Sequence, residues 1–390
     1  MSRLPSPGPR ESPHGMSLQG IQEIVADAAE SGTPLRIAGE SHWIDAGRPV
    51  RANRIASLTG HTGVVDYVPG DLTITVKGGT TLHGIEEVTA KEGQHFPLDP
   101  HGSSEGTIGA TIATGSSGPM AHGFGAVRDL VLGVEFVTGD GRVVKGGGRV
   151  VKNVAGFDLV RLITGSWGTL GIVTEATLRL YSIASSHATL AVSITDERQL
   201  SARLDNVLNA AATPYSVELV DAATARHCGL AATTSILVEL GGNAAAVEAQ
   251  KDALSRTGVV HEVPRQVWTR LRTADAAGTA VFRVSALPAQ IAELWTNTQR
   301  ALAGIEGSMI HASAGLGVVR CILPAASATA ELLRRMAGEN RGSAIVCERL
   351  PSDLWPHVSP SVVSDTLSQR VKRAFDPLDI LNPGIMGEFS

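Results

Sequence analysis

The chain has 390 residues, long enough for about two domains and too long for one ordinary core. Hydrophobic residues make up 43% and charged residues 18%, a globular balance that excludes a disordered chain. A formal net charge of -5 supplies no basic field for wrapping a polyanion, so nucleic acid is not among the expected partners.

The first 17 residues, rich in Pro, Ser and Gly, read as a loose tail and not as a secretion signal. Leu18 to Glu30 then carries Leu18, Ile21, Ile24, Val25 and Ala28 at helical spacing, with Ser31-Gly32 as the stop. Pro34 to Ala38 reads as a short buried strand entering the loop Gly39-Glu40-Ser41-His42. Val64 to Val68 and Thr73 to Lys77 are β-branched strands on either side of Pro69-Gly70-Asp71. Thr80-Thr81 can cap a helix to Glu92, which Gly93 ends. From Gly102 to Gly125 small residues dominate. Leu130 to Val137 and Arg142 to Lys145 then form a hairpin about an Asp-Gly turn, and Ile172 to Tyr181 is a further strand. From about Ser182 strand-like runs (Ala188 to Ile194, Ser216 to Val220, Ser235 to Leu240, Ala280 to Val284, Gly317 to Leu323) alternate with amphipathic helices, among them Ala244 to Arg256 and Ala326 to Ala337. This order predicts two α+β units and not a regular strand–helix alternation. No apolar run approaches the ~20 residues that span a bilayer.

Three stretches carry candidate chemistry. Gly106-Thr107-Ile108-Gly109-Ala110-Thr111 and Gly115-Ser116-Ser117-Gly118 have few large side chains, so a flat or anionic ligand can meet the backbone. A flexible linker has similar composition, but Ile108, Ala110, Ile112 and Ala113 make this one partly apolar. The loop at Gly39, directly after a strand, suits a phosphate nest, although an ordinary turn looks the same. Lys152 to Leu159, followed by Gly165-Ser166-Trp167-Gly168-Thr169-Leu170-Gly171-Ile172-Val173, suggests a chain turning beneath something large. Gly139-Asp140-Gly141 begins like a dinucleotide fingerprint. It fails because Val144 replaces the third glycine and the setting is a hairpin. Cys228, Cys321 and Cys347 lack the close spacing of a metal site, their odd count fits no disulfide framework, and they read as buried thiols.

In this order the three stretches resemble the FAD domain of the vanillyl-alcohol-oxidase (PCMH-type) superfamily. KNVAGFDL, ITGSWGTLGIVTEATLRL and FDPLDILNPG are similar to the FAD-binding subunit of glycolate oxidase. The resemblance implies an α+β fold: a two-subdomain FAD-binding domain at residues 18–181, a smaller α+β cap domain at 182–370, and a segment at 371–390 that returns to the first. It implies FAD held by Gly39, Glu40, Ser41, Pro100, Gly106, Thr107, Gly109, Ala110, Thr111, Ala113, Gly115, Ser116 and Gly118, with Gly168, Gly171, Ile172 and Val173 beside the ribose and adenine. Ser41 aligns with the histidine that links flavin in covalent relatives, so non-covalent FAD is expected. The implied partners are a catalytic FAD sister subunit and an iron–sulfur subunit. A cytoplasmic place is implied, with the inner membrane face reached through those partners.

The resemblance breaks at the catalytic positions. His311-Ala312-Ser313-Ala314-Gly315-Leu316-Gly317 has one histidine where two metal ligands are expected, and Cys347-Glu348-Arg349 has arginine in place of a histidine. No metal site is therefore expected. His101 and His311 remain as candidate bases, although a packing role is the commoner fate of such residues.

Overall fold

The computed structural model describes residues 17–148, 157–358 and 365–387, so Lys152 to Gly156 of the third candidate stretch lie outside the described residues. Helix Leu18–Ser31 starts where the Ser17 hydroxyl accepts the Gly20 N–H, and it stops at Gly32, whose φ of 62° suits a glycine. Its Ile21, Val25 and Ala28 pack with Leu35, Ala56, Val137 and Ile172. Leu35–Ala38 pairs in parallel with Arg54–Ser57, a strand too short and too polar to stand out in the sequence. Leu381 adds a parallel bridge to Leu35, which ties the C-terminal segment into this layer.

A five-stranded antiparallel sheet follows, in the order Val64–Val68, Thr73–Lys77, Ile172–Arg179, Val131–Val137, Val143–Gly147. Helices Leu82–Thr89 and Ile108–Thr114 set Ile85, Ile108 and Ile112 against its Ile74, Val76, Phe136 and Leu178. Burying each such side chain contributes about 1.5–3 kcal/mol, which pins the small-residue stretch between Gly106 and Gly115 to the sheet. That stretch is a capped helix: Thr107 Oγ1 accepts the Ala110 N–H and Gly115 closes the end.

The second unit carries the larger sheet, eight antiparallel strands. Their order is Val260–Glu262, Ser186–Ser193, Ser235–Gly242, Ser216–Val220, Met309–Ser313, Val318–Pro324, Thr279–Ser285, Ala344–Arg349. Helices Leu200–Leu208, Ala244–Ser255, Ile291–Ala301 and Ala330–Glu339 cover one face around Leu219, Val238, Phe282 and Trp295. On the other face Trp268 and Leu271 cover Val220 and Leu237. Helix Ala330–Glu339 begins later than the sequence suggests, because Thr329 caps it and the preceding Ala325–Ser327 is a 3-10 turn.

The two units meet along polar and aromatic contacts. The Gly102 N–H donates to the Arg272 carbonyl (2.7 Å) and the Gly47 N–H to the Glu348 carbonyl (2.8 Å). Phe124 meets Tyr181 and Tyr215 edge-on. The Trp43 ring lies 5.5 Å from the Arg320 guanidinium and 5.3 Å from that of Arg349. Among the described residues no helix is long and apolar enough to cross a membrane.

Candidate active site

The first unit opens into a cleft whose empty space, open solvent included, is about 1010 Å³. It is lined by Gly39, Glu40, Ser41, Pro100, His101, Gly106, Thr107, Gly109, Ala110, Thr111, Ala113, Ser116, Gly168, Gly171 and Val173, joined by Trp43, Trp167, Asn382 and Ile385. The loop after Leu35–Ala38, the small-residue helix and the turn before Ile172–Arg179 thus converge on one groove. Three sequence candidates stand off it. Ile172 turns into the core beneath Leu18–Ser31, Gly115 caps its helix, and Gly118 lies against the Asp99 carbonyl.

The glycines bring loop against loop. A Cβ on Gly39 would sit 2.3 Å from Thr107 Oγ1, and one on Gly109 would sit 2.7 Å from the Gly78 carbonyl oxygen. Asn382 locks the third side: its Oδ1 accepts the Ile37 N–H and its Nδ2 donates to the Trp167 carbonyl, both at 2.8 Å. Ser41 adopts a φ of 61°, and the N–H groups of Glu40, Ser41 and His42 have no acceptor among the described residues. Unpaired backbone donors on a left-handed turn make a concavity for an anion. Small residues along the floor admit a flat ring system. The residues present therefore fit a dinucleotide with a pyrophosphate at residues 39–42.

A second pocket of about 480 Å³ adjoins the cleft, sharing His101 and Ser116 with it. Its other wall is the polar face of the eight-stranded sheet: Arg283, His311, Ser313, Arg320 and Glu348. Strand alternation puts them there. Phe282, Ile310, Ala312, Val319 and Cys321 point into the helical core, so the residues between them face the cleft. His311 pairs in register with Arg320, and Arg320 with Arg283. Buried Arg320 is held by Asp275 and Glu348. Burial alone would lower its pKa, but these two carboxylates raise it. Burial would raise Glu348, but Arg320 and Arg283 lower it. Burial, then the charges of Arg320 and nearby groups, pushes His101 well below the usual histidine range, so its ring is neutral. His311 Nδ1 lies 2.9 Å from Glu218 Oε2, and the Ser313 hydroxyl donates to the other oxygen of that carboxylate. His311 Nε2 has no hydrogen-bond partner among the described residues.

Glu218, Arg283 and Arg320 were not singled out by sequence. The available signal is one charge inside an apolar strand, as in Ser-Val-Glu-Leu-Val and Val-Val-Arg-Cys-Ile. Among the described residues no group of three or more His, Cys, Asp or Glu side chains is placed to hold a metal. Cys228 and Cys321 are buried, whereas Cys347 is half-buried on the edge strand, a correction to the expectation of three buried thiols. Burial pushes Cys228 up to about 11 and Cys347 up to about 12, which removes both as nucleophiles near neutral pH.

The fold is of the PCMH type. The structure overlays p-cresol methylhydroxylase with substrate bound at a TM-score of 0.74 and 17% identity, covering 95% of this chain and 87% of that one. Residues 16–147 match the family model described as FAD binding domain. Glycolate oxidase subunit GlcE of Escherichia coli (strain K12) is 41% identical over 42% of this chain and 46% of its own. Glycolate oxidase subunit GlcD of Bacillus subtilis (strain 168) is 37% identical over 52% and 44%. These matches span less than half of either relative's own length. Residues 16–147 thus carry an FAD-binding domain, in a chain similar over part of its length to these glycolate oxidase subunits.

Proposed function

We propose that this chain is the FAD-binding subunit of a glycolate-oxidase-like 2-hydroxy-acid dehydrogenase complex, holding FAD non-covalently. The observation that carries the reading is the single cleft formed by the three small-residue segments, with unpaired N–H donors at residues 40–42. Those donors would hold the pyrophosphate, and the floor from Gly106 to Ser116 the flavin side. When bound, FAD supplies a two-electron acceptor. The position aligned with a linking histidine is Ser41, whose hydroxyl is a poor flavin nucleophile. The proposed partners are a catalytic flavoprotein sister and an iron–sulfur subunit; that both relatives are named as subunits supports a complex. The proposed setting is the cytoplasm, with those partners supplying any membrane contact. The purified chain is expected to be yellow, to release all its flavin on denaturation, and to turn over glycolate scarcely at all. A colourless chain that stays so after incubation with FAD would refute the cofactor assignment, and robust turnover alone would refute the subunit role.

One observation favours a second reading, a self-sufficient hydroxy-acid dehydrogenase: the Glu218–His311 pair leaves a buried imidazole nitrogen facing the pocket. Rapid bleaching of the flavin by substrate in stopped flow, with no partner present, would select it.

A further inference from the structure

We infer that Trp167 is a further cofactor-contact residue: its indole forms one wall of the FAD site, and the C-terminal segment holds it there against the preference of its own backbone. This rests on the FAD reading above and gives that site an aromatic wall.

Among the described residues five that are not glycine have a positive φ: Ser41, Leu72, Trp167, Asp379 and Asn382. Three of these, Ser41, Trp167 and Asn382, line the same cleft. L side chains resist this conformation, bulky ones most, and such strain persists only where the surroundings impose it, commonly at ligand sites. Trp167 is the bulky case, with a φ of 54°. Its neighbours Gly165 (77°) and Gly168 (71°) also turn left-handed, and there glycine meets the need without strain. At position 167 the same turn carries a tryptophan.

Restraints on several sides hold that turn in place. The Trp167 N–H donates to the Ala113 carbonyl at 2.7 Å, at the end of the small-residue helix. The Trp167 carbonyl accepts Asn382 Nδ2 at 2.8 Å. The Thr169 hydroxyl donates to the Ser166 carbonyl at 2.7 Å, and the Thr169 carbonyl accepts from buried Lys372 Nζ at 3.0 Å. Lys372 in turn pairs with Asp376, whose side chain also receives the Ile380 and Leu381 N–H groups. One edge of the indole packs on the chain at Gly47, where a Cβ would stand 3.2 Å from Trp167 Cζ3. The residue is nonetheless only half-buried. Beside it the Gly168 N–H, also in the cleft, has no acceptor among the described residues. A flat ring next to an unused donor suits the planar and hydrogen-bonding parts of a dinucleotide. Trp43 lines the same cleft, but its ring already meets the guanidiniums of Arg320 and Arg349.

The test uses the full chain, freed of flavin and titrated with FAD by calorimetry, with the melting temperature of the flavin-free protein measured alongside. Trp167→Gly removes the ring but relieves the backbone. FAD should therefore bind about tenfold weaker or more, while the flavin-free melting temperature falls by no more than a few degrees. Trp167→Phe keeps a flat ring and should bind FAD within about threefold of the parent. A residue that only props up the fold would lose stability and affinity in step. Parent-like FAD affinity in Trp167→Gly, a steep fall in its flavin-free melting temperature, or a Trp167→Phe as weak as Trp167→Gly would overturn the assignment. A parent that bound no FAD would sink the cofactor reading and this inference with it. A parent that binds FAD with an affinity indifferent to residue 167 would sink this inference alone.

Discussion

Asp99 lies under the Gly118 turn, where its Oδ1 accepts the Met120 N–H at 3.0 Å. Burial pushes its carboxyl up to about 7, against the pull of Arg272 and that hydrogen bond. The unfolded chain therefore ionises this group near pH 4 while the folded chain keeps the proton, and stability is lost as pH rises toward 7. His95 does the opposite. Burial, then the charges of His187 and Arg265, lowers it to about 4, so stability is lost as pH falls from its ordinary value. The two effects oppose each other over nearly the same window. Asp99→Asn keeps the Oδ1 acceptor but cannot ionise. It should therefore gain melting temperature relative to the parent at about pH 8 and little at about pH 4.5. Equal differences at the two pH values would show that Asp99 ionises normally.

Among the elements, the C-terminal segment closes the cleft through one side chain. Asn382 has a φ of 45°, bonds the Ile37 N–H and the Trp167 carbonyl, and lines the groove. Asn382→Ala leaves two part-buried backbone groups unpaired and puts alanine in a left-handed conformation. The expected loss is about 2–4 kcal/mol in urea unfolding, together with weaker FAD retention. A urea midpoint equal to the parent's would remove Asn382 from this role. Much at this scale was legible in the sequence. The capped helix at Leu18, the Asp-Gly hairpin and the central strands follow from local pattern, and the cleft loops announce themselves by small residues. The wall opposite them was not legible. His311, Arg320 and Arg283 form a row only because their strands are neighbours in a particular register, and three strands of that sheet, Met309–Ser313, Ala344–Arg349 and Val260–Glu262, are short or polar enough to escape pattern reading. Local sequence also could not show that Gly39 and Gly109 spend their missing side chains on chain-to-chain contact, since Thr107 and Gly78 are distant in sequence from their partners.

On the scale of the molecule, the two sheets keep separate hydrophobic cores. The cleft is lined by residues between Arg36 and Val173 and by Asn382 and Ile385, with none from the eight-stranded sheet. A ligand that binds only the folded cleft stabilises it by mass action, about 2.7 kcal/mol at a hundred times its Kd. That free energy reaches the second core through a junction that includes Gly47, Arg48, Gly102, Phe124 and Trp43, which is polar and aromatic and not a continuous aliphatic core. FAD should therefore slow hydrogen exchange strongly in Leu35–Ala38, Ile108–Thr114, Ile172–Arg179 and the segment around Leu381. Helices Ile291–Ala301 and Ala330–Glu339, which cover the face of the second sheet turned away from the pocket, should exchange as they do without it. Equal protection in both cores would mean that the junction transmits folding free energy undiminished and that the chain unfolds as one unit. Protection confined to the first unit and the segment around Leu381 would instead show that the two cores open independently.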